Sequence, residues 1–332
     1  MAPNDTPLSI AAQTGDEAAI QALLPQTSHI DPLNSRGETP LMTAAHAGHT
    51  TIASLLLDHG ANINASRGFD YWQPIHFAAS RGHQAVLELL LARGADIEAR
   101  GDECFWNALT YAAAGGYESL VVMLLGRGAN INATDRFGCT PLTWAAERGN
   151  ESMTRLLLDR GAIVDARNNR LETPLSVAAA KGREAVVRIL LEHGAASDPK
   201  DKNGKTPLFY AAECRHMGVM RLLLLDQGVA VDTRGDFDMT PLSLAAIGGV
   251  EQAVELLLDQ GADIENVDKG GRTPLWLAAW RGREAAVKVL LERGATVDVR
   301  DNKGDMPLAI AKKGGHEGVV KILEVHGATK FE

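Results

Sequence analysis

The chain has 332 residues with a formal net charge of −9, 45% hydrophobic and 23% charged residues, a composition ordinary for a folded protein. The acidic balance disfavours nucleic acid or an anionic membrane as the main partner, because both require a basic surface. No apolar run approaches the roughly eighteen residues of a membrane helix, and we expect no secretory signal. The three cysteines form no disulfide framework, which favours the cytoplasm or the nucleus.

An internal repeat organises the whole chain. The phrase Thr-Pro-Leu-x-x-Ala-Ala recurs every 33 or 34 residues. Its ten copies begin at Thr6, Thr39, Gln73, Asn107, Thr140, Thr173, Thr206, Thr240, Thr273 and Met306. The length alone would suggest two domains, but so regular a period predicts a single repeat domain over residues 1–332, without a separate catalytic domain.

The residues of one repeat predict two short helices and a loop. Thr39 can cap the first helix with its hydroxyl, and Pro40 occupies the first helical position, where a missing N–H costs nothing. Gly48 is expected to end this helix in a left-handed conformation. A second helix with an apolar stripe stops at Gly60, and the turn-rich stretch after it predicts a projecting hairpin, called a finger below. One helix pair cannot bury its own apolar face, so stacked neighbours are expected to form the core.

These residues resemble the ankyrin repeat family over nearly the entire chain. The match is carried by Thr140-Pro141-Leu142, Ala145-Ala146, Gly149, Leu156-Leu157-Leu158 and Gly161-Ala162, with equivalents in every repeat. The resemblance implies an all-α ankyrin solenoid of helix–turn–helix units with fingers, which binds partners on its concave side. Since most members are adaptors or inhibitors, a protein- or peptide-binding scaffold is the leading function.

Departures from the pattern mark individual repeats. Only His76 keeps the histidine that the family usually places after Thr-Pro-Leu. Arg215 replaces the glycine that ends the first helix of repeat seven. A slightly different turn is the favoured expectation there, and a left-handed Arg215, at a cost of about 1–2 kcal/mol, is the alternative. Residues 1–38 and 306–332 carry polar substitutions, such as Lys312 in place of Ala, which predict terminal caps and a complete array.

Aromatic residues concentrate in the fingers and on the first helices. Three fingers, those containing Trp72, Trp106 and Phe237, are predicted to be one residue longer than the rest. Exposed rings on a rigid scaffold are typical of a binding site, although rings that merely stiffen neighbouring fingers are the alternative. The finger rings are Phe69, Tyr71, Trp72, Phe105, Trp106, Phe137 and Phe237, and the first-helix rings expected to face the groove are Phe209, Trp276 and Trp280.

A second set of rings, Phe77, Tyr111, Trp144 and Tyr210, shares one register of the first helix. Packing between repeats is the favoured interpretation, but Tyr111 and Trp144 are kept in the candidate surface because their edges can floor a pocket under the fingers.

Charged residues follow the repeat as well. Arg81, Arg148, Lys181 and Arg281 are predicted to form a basic line on the first helices, and Arg81, Arg148 and Arg281 join the candidate binding residues. Neutralisation of finger carboxylates is the alternative, at about 0.2–1 kcal/mol per pair. Asp135, Asp201, Asp268 and Asp301 are assigned to structure, because aspartate side chains open turns by bonding the backbone.

Nothing in the sequence predicts a metal site or a cofactor. His46 and His49 are separated by Gly48, which ends the helix between them, and no zinc or phosphate-loop motif occurs. Enzymatic activity is left open, with the balance against it. If the fingers enclosed an apolar small molecule, the acid–base candidates would be Asp70, His76, Glu103, Asp236 and Asp238, since a carboxylate among aromatic rings can have a raised pKa.

One geometric feature separates the two functions. An enclosed pocket ringed by Tyr71, Trp72, Trp106 and Phe237 would favour a small molecule, and an open groove would favour a polypeptide. Replacing Trp72 and Trp106 by Ala is expected to abolish binding without unfolding the repeats. We expect a monomer.

Overall fold

The computed structural model describes residues 5–67, 71–101 and 103–328. Its contacts divide the chain into two compact units, residues 1–169 and 170–332, called the first and second unit. Both consist of helix pairs joined by fingers, so the all-α repeat fold is confirmed. The single domain over residues 1–332 stays a prediction.

The described part of the first unit contains five helix pairs. In chain order they are α1 (Pro7–Thr14) and α2 (Glu17–Leu23), α3 (Pro40–Ala47) and α4 (Thr50–Asp58), α5 (Pro74–Arg81) and α6 (Gln84–Ala92), α7 (Ala108–Gly115) and α8 (Glu118–Gly126), and α9 (Pro141–Arg148) and α10 (Glu151–Asp159). A 3-10 turn, Leu24–Gln26, extends α2. Each first helix packs on its own partner, and neighbouring first helices within the unit pack on each other.

The described part of the second unit repeats this plan. Its pairs are α11 (Pro174–Ala180) and α12 (Glu184–Glu192), α13 (Pro207–Glu213) and α14 (Met217–Arg221), α15 (Pro241–Gly248) and α16 (Glu251–Asp259), α17 (Pro274–Trp280) and α18 (Glu284–Glu292), and α19 (Pro307–Lys313) and α20 (Glu317–Val325). No described helix of either unit is long and apolar enough to cross a membrane.

Capping defines where the first helices begin and end. Thr39 Oγ1 accepts the backbone N–H of Met42 at 3.3 Å, as predicted, and removing such a cap typically costs about 1 kcal/mol. Gly48 ends the helix at φ 82°. Arg215 takes the same place in repeat seven with φ 64°, which confirms the strained alternative rather than a different turn.

A histidine clamp joins successive repeats. His83 follows the turn that ends α5, and its Nε2–H donates to the carbonyl oxygen of His46, in the preceding repeat, at 3.0 Å. The imidazole lies so close to Gly48 that a Cβ there would come within 2.7 Å of the ring. Glycine is therefore required at position 48 for two reasons: its φ is left-handed, and the His83 ring leaves no room for a side chain. His49, His216 and His316 make the corresponding hydrogen bonds at 3.3, 3.1 and 3.0 Å.

The fingers are closed by aspartates and joined along their tips. Asp135 Oδ1 accepts the N–H groups of Phe137 and Cys139, both at 2.8 Å, and Asp201, Asp268 and Asp301 do the same, which confirms their structural assignment. Backbone bonds then link adjacent tips: Arg136 N–H donates to the Cys104 carbonyl at 2.9 Å.

Two of the three extra residues lie in fingers, and the third does not. A regular finger is closed by a backbone hydrogen bond to the carbonyl four residues later, such as the bond from Asp135 N–H to the Cys139 carbonyl. In the two lengthened fingers, the N–H groups of Arg67 and Gly101 donate to the carbonyls of Trp72 and Trp106, which lie five residues later. The Phe237 finger is regular, because Gly235 N–H donates to the Met239 carbonyl at 3.0 Å.

The prediction that the Phe237 finger is lengthened is therefore wrong. The extra residue of repeat seven is accommodated in its second helix, where Leu222–Asp226 form a π-helical turn after α14. A π turn holds one more residue than an α turn. The insertion thus leaves the following finger in its ordinary register.

Deleting Leu225 tests this placement. We expect the π turn to close into a regular helix, so the urea midpoint of unfolding stays unchanged or rises. The matched control is deletion of Leu158, which also precedes an aspartate, in the regular helix α10. That deletion rotates the rest of the helix by about 100° and is expected to cost more than about 3 kcal/mol. Equal losses in both variants would contradict the placement.

Candidate functional site

The two lengthened fingers each carry an aromatic pair whose members have different environments. In both, the first residue is left-handed, with φ 52° at Tyr71 and 62° at Phe105. The second residue, Trp72 or Trp106, closes the finger by accepting the bridging hydrogen bond and is only partly exposed. Tyr71 and Phe105 are exposed, whereas Trp72 and Trp106 contact rings of the first helices. Each finger therefore presents one ring outward and one inward.

The outward rings form an exposed aromatic edge in the first unit. Tyr71 is 59% exposed, Phe105 45% and Phe137, in the next finger, 49%. The guanidinium of Arg136 lies 5.5 Å from the centre of the Phe137 ring, and the backbone bond from Arg136 to Cys104 fixes the last two fingers to each other. The fingers of Phe105 and Phe137 are therefore fixed relative to each other. We call Tyr71, Phe105 and Phe137 the fingertip rings.

The inward tryptophans alternate with first-helix rings in one continuous stack. Trp72 and Trp106 insert between rings of the shared helical register, in edge-on or tilted contact. The centroid distances are 5.5 Å for His46–Phe77, 4.9 Å for Phe77–Trp72, 5.0 Å for Trp72–Tyr111, 5.1 Å for Tyr111–Trp106 and 4.6 Å for Trp106–Trp144. This aromatic ladder is the floor beneath the fingertip rings.

The indole N–H groups of Trp144 and Trp106, two members of the ladder, differ in their hydrogen bonding. Trp144 Nε1–H donates to Asp135 Oδ2 at 3.0 Å, which ties the ladder to its finger. Trp106 Nε1 is buried without a hydrogen-bond partner among the described residues, a state that costs about 1–3 kcal/mol. The favoured interpretation of Tyr111 and Trp144 as packing between repeats agrees with these contacts.

A cavity of about 360 Å³ opens between the two lengthened fingers. It is lined by Ser66, Tyr71, Gln73, Arg100 and Phe105. Arg100 and Phe105 also line an adjoining cavity of about 260 Å³. The Arg100 side chain forms no ion pair or hydrogen bond within the described part of the chain. Sequence reasoning missed Arg100, because nothing in the repeat pattern distinguishes it from other finger charges.

The acid–base candidates are dispersed. His76 is fully buried with both ring nitrogens engaged, accepting from Gln73 N–H at 2.9 Å and bonding the Ala99 carbonyl at 2.8 Å, so it serves structure. Glu103 is exposed, and Asp236 is ion-paired to Lys205 at 2.9 Å. Among described residues, no group of three or more His, Cys, Asp or Glu side chains is arranged to hold a metal ion.

Other predicted residues take varied places. Phe69 and Asp70 lie outside the described residues. Asp238 and Phe237 are consecutive left-handed residues of the second unit, with φ 59° and 58°, and Phe237 is 65% exposed. The small-molecule hypothesis required an enclosed pocket, but the cavity beside Tyr71 is open, since its aromatic wall is exposed.

Two first-helix rings that were expected to face the groove are buried instead. Trp276 is only 5% exposed, and Phe209 is fully buried. Its ring lies against the finger backbone at Gly235, where a Cβ would come within 2.6 Å of it, and Lys205 Nζ is 5.2 Å from its centre. Burial alone would lower the pKa of Lys205, but hydrogen bonds to Asp236 and Glu213 outweigh it and raise that pKa.

The basic residues have different partners. Arg81 Nε–H donates to His46 Nε2 at 3.1 Å. Arg281 lies 4.1 Å above the Trp280 ring, which is 36% exposed, whereas Trp276 is only 5% exposed. Arg148 ends α9 in the first unit. A basic line formed by Arg81, Arg148, Lys181 and Arg281 stays a prediction.

The ankyrin assignment from the repeat pattern is supported by a family comparison. The family model described as ankyrin repeats (3 copies) matches residues 8–101, 75–168, 109–201, 163–235 and 223–301. The chain therefore belongs to the ankyrin repeat family, whose members generally serve as protein-interaction scaffolds. Comparison with curated proteins gave no match.

The ladder changes what replacing a finger tryptophan should do. We expect Trp106→Ala to lower the free energy of unfolding by about 2–3 kcal/mol, because it removes two ring contacts and leaves a cavity. The expectation that replacing Trp72 and Trp106 leaves the repeats folded stays a prediction, and the ladder adds to it an expected loss of stability. Tyr71→Ala, at an exposed ring, is the control and should change stability by less than about 0.5 kcal/mol. Urea denaturation of both variants decides, and equal stabilities would contradict the ladder.

His46, at one end of the ladder, predicts a pH dependence. Burial, followed by the charge of Arg81, lowers its pKa below 6.5. The folded state therefore binds this proton less readily than the unfolded state, so the stabilisation is present above pH 6.5 and is lost as the pH falls below it. Urea midpoints between pH 8 and 5 should fall less steeply in His46→Gln than in the wild type. Arg81→Gln should lie between them; a slope unchanged in His46→Gln would contradict the assignment.

Proposed function

We propose that the first unit binds a polypeptide segment across the fingertip rings Tyr71, Phe105 and Phe137. The observation that carries this proposal is three exposed rings on three successive fingers, the last two of which are joined by a backbone hydrogen bond. Aromatic anchors are enriched at protein interfaces, where they supply area at little conformational cost. Rings already fixed by their backbone lose less entropy on binding.

The cavity between the lengthened fingers supports a polypeptide over an enclosed small molecule. Its walls are the exposed rings of Tyr71 and Phe105, and Arg100 supplies a guanidinium that has no ion pair or hydrogen bond within the described residues. Open sites of this kind, with aromatic walls and a few polar groups, suit side chains of an extended segment. The Trp106 ladder serves as a rigid floor rather than as a contact surface.

The backbone offers a precise way to remove the rings. The left-handed finger position held by Tyr71 and Phe105 is occupied by glycine in other fingers, with φ 73° at Gly37 and 78° at Gly138. Glycine adopts this conformation without strain. Tyr71→Gly and Phe105→Gly therefore delete each ring while leaving the finger backbone in a conformation the protein already uses.

We expect the double variant to bind at least tenfold more weakly, a loss of about 1.4 kcal/mol or more, with no loss of thermal stability. The ligands are peptides selected against the wild-type protein from a random display library, and affinity is measured by fluorescence anisotropy. Leu171→Gly is the matched control, because Leu171 is left-handed with φ 61° in a finger of the second unit, and its affinity should be unchanged. Unchanged affinity of the double variant would refute the site.

A further inference from the structure

The second unit contains a pocket that the fingertip site does not involve. A cavity of about 440 Å³ lies between the finger at 301–305 and the first helices α17 and α19. Its apolar lining consists of Trp276, Trp280 and Ile310. The two indoles are 6.2 Å apart and tilted by 38°, and Trp276 Nε1–H is held by the Asp305 carbonyl at 3.1 Å. The apolar wall is thus fixed in place.

The carboxylates around this pocket are already engaged. Asp301 Oδ1 accepts the N–H groups of Lys303 and Asp305 at 2.9 and 2.8 Å, closing its own finger. The Asp305 carboxylate pairs with Lys313 Nζ at 2.7 Å. Arg272, which also lines the pocket, is neutralised by Asp268 through two contacts, at 2.8 and 2.6 Å. The carboxylates of Asp305 and Asp268 are therefore paired with cations, and Asp301 is bound by its own finger backbone.

Two cationic side chains beside the pocket have no carboxylate partner among the described residues. Arg281 is exposed and stacked 4.1 Å above Trp280, and Lys303 is exposed on the pocket wall. Neither side chain forms an ion pair or hydrogen bond within the residues described. A guanidinium lying flat on an indole keeps its N–H edge free and loses little rotational freedom when that edge meets a carboxylate. The unbalanced charge beside the apolar wall is positive.

We propose that this pocket is a second binding site, for a polypeptide segment in which an acidic residue adjoins an apolar one. The carboxylate pairs with Arg281 and Lys303, and the apolar side chain contacts Trp276, Trp280 and Ile310. A flat heterocycle is disfavoured, because Arg281 already covers one face of Trp280.

The test follows the indole N–H signals of Trp276 and Trp280 in ¹⁵N-labelled full-length protein, each assigned by a Trp→Phe variant. The probes are acetyl-Phe-Asp-Asp-amide, its neutral counterpart acetyl-Phe-Asn-Asn-amide, and adenosine monophosphate. We expect the acidic peptide to shift both signals with saturation, the neutral peptide to bind at least tenfold more weakly, and added salt to weaken the acidic peptide.

Arg281→Gln is expected to weaken the acidic peptide about tenfold, and Lys303→Gln severalfold. Lys269→Gln is the matched control, since Lys269 is an exposed lysine of the neighbouring finger that does not line the pocket. Equal binding of the acidic and neutral peptides, a response to the nucleotide alone, or unchanged affinity in Arg281→Gln would overturn the proposal. Because the signals belong to Trp276 and Trp280, its failure leaves the Tyr71–Phe105 site untouched.

Discussion

The close approach of consecutive first helices is the constraint on which this structure depends. Each helix pair is too small to bury its own apolar face, so it must share a core with its neighbours. Alanines such as Ala44 and Ala45, both fully buried, keep the first helices thin. The clamp from His83 to the His46 carbonyl then requires a residue without a side chain at Gly48. The repeat length, the capping residues and the turn glycines all follow from this close spacing of the first helices.

The same constraint decides how an extra residue is tolerated. The helix pair admits an insertion only where it leaves the shared core in register. Repeats two and three place it at a fingertip, where the hairpin closes over four residues instead of three. Repeat seven places it in the second helix, and the π turn at Leu222–Asp226 absorbs it with Leu225 57% exposed. Both solutions move the irregularity toward solvent.

The fold could be predicted from the sequence because its signals are local and repeated. Thr39 and Gly48 act through their own backbone, and Asp135 through its own finger, so spacing alone reveals their roles. The misplaced insertion shows the limit, since a period of 34 residues counts an extra residue without locating it. The stretch from Asp232 to Thr240 has as many residues as the stretch from Asp165 to Thr173, in a repeat without an extra residue. That comparison shows that the finger is of ordinary length, so the extra residue must lie earlier in repeat seven.

The candidate site was harder to predict, because it depends on which way each ring points. Tyr71 and Trp72 are neighbours in sequence, yet Tyr71 is exposed and Trp72 lies in the ladder. The difference depends on the left-handed backbone at Tyr71, which the repeat spacing does not reveal. The burial of Phe209 depends instead on Gly235, 26 residues away. Contacts between distant segments of this kind have no signature in the spacing of either residue.

Backbone strain adds an argument for function at the fingertips. A non-glycine residue in the left-handed region costs about 1–2 kcal/mol, and glycine fills this position in several other fingers. At Tyr71 and Phe105 the ring does not recover that cost by burial, since both remain about half exposed in the free chain. Strained residues that gain little in the isolated protein are found at sites where a partner supplies the missing contacts. The strain at Tyr71 and Phe105 therefore supports the proposal that these two rings bind a partner.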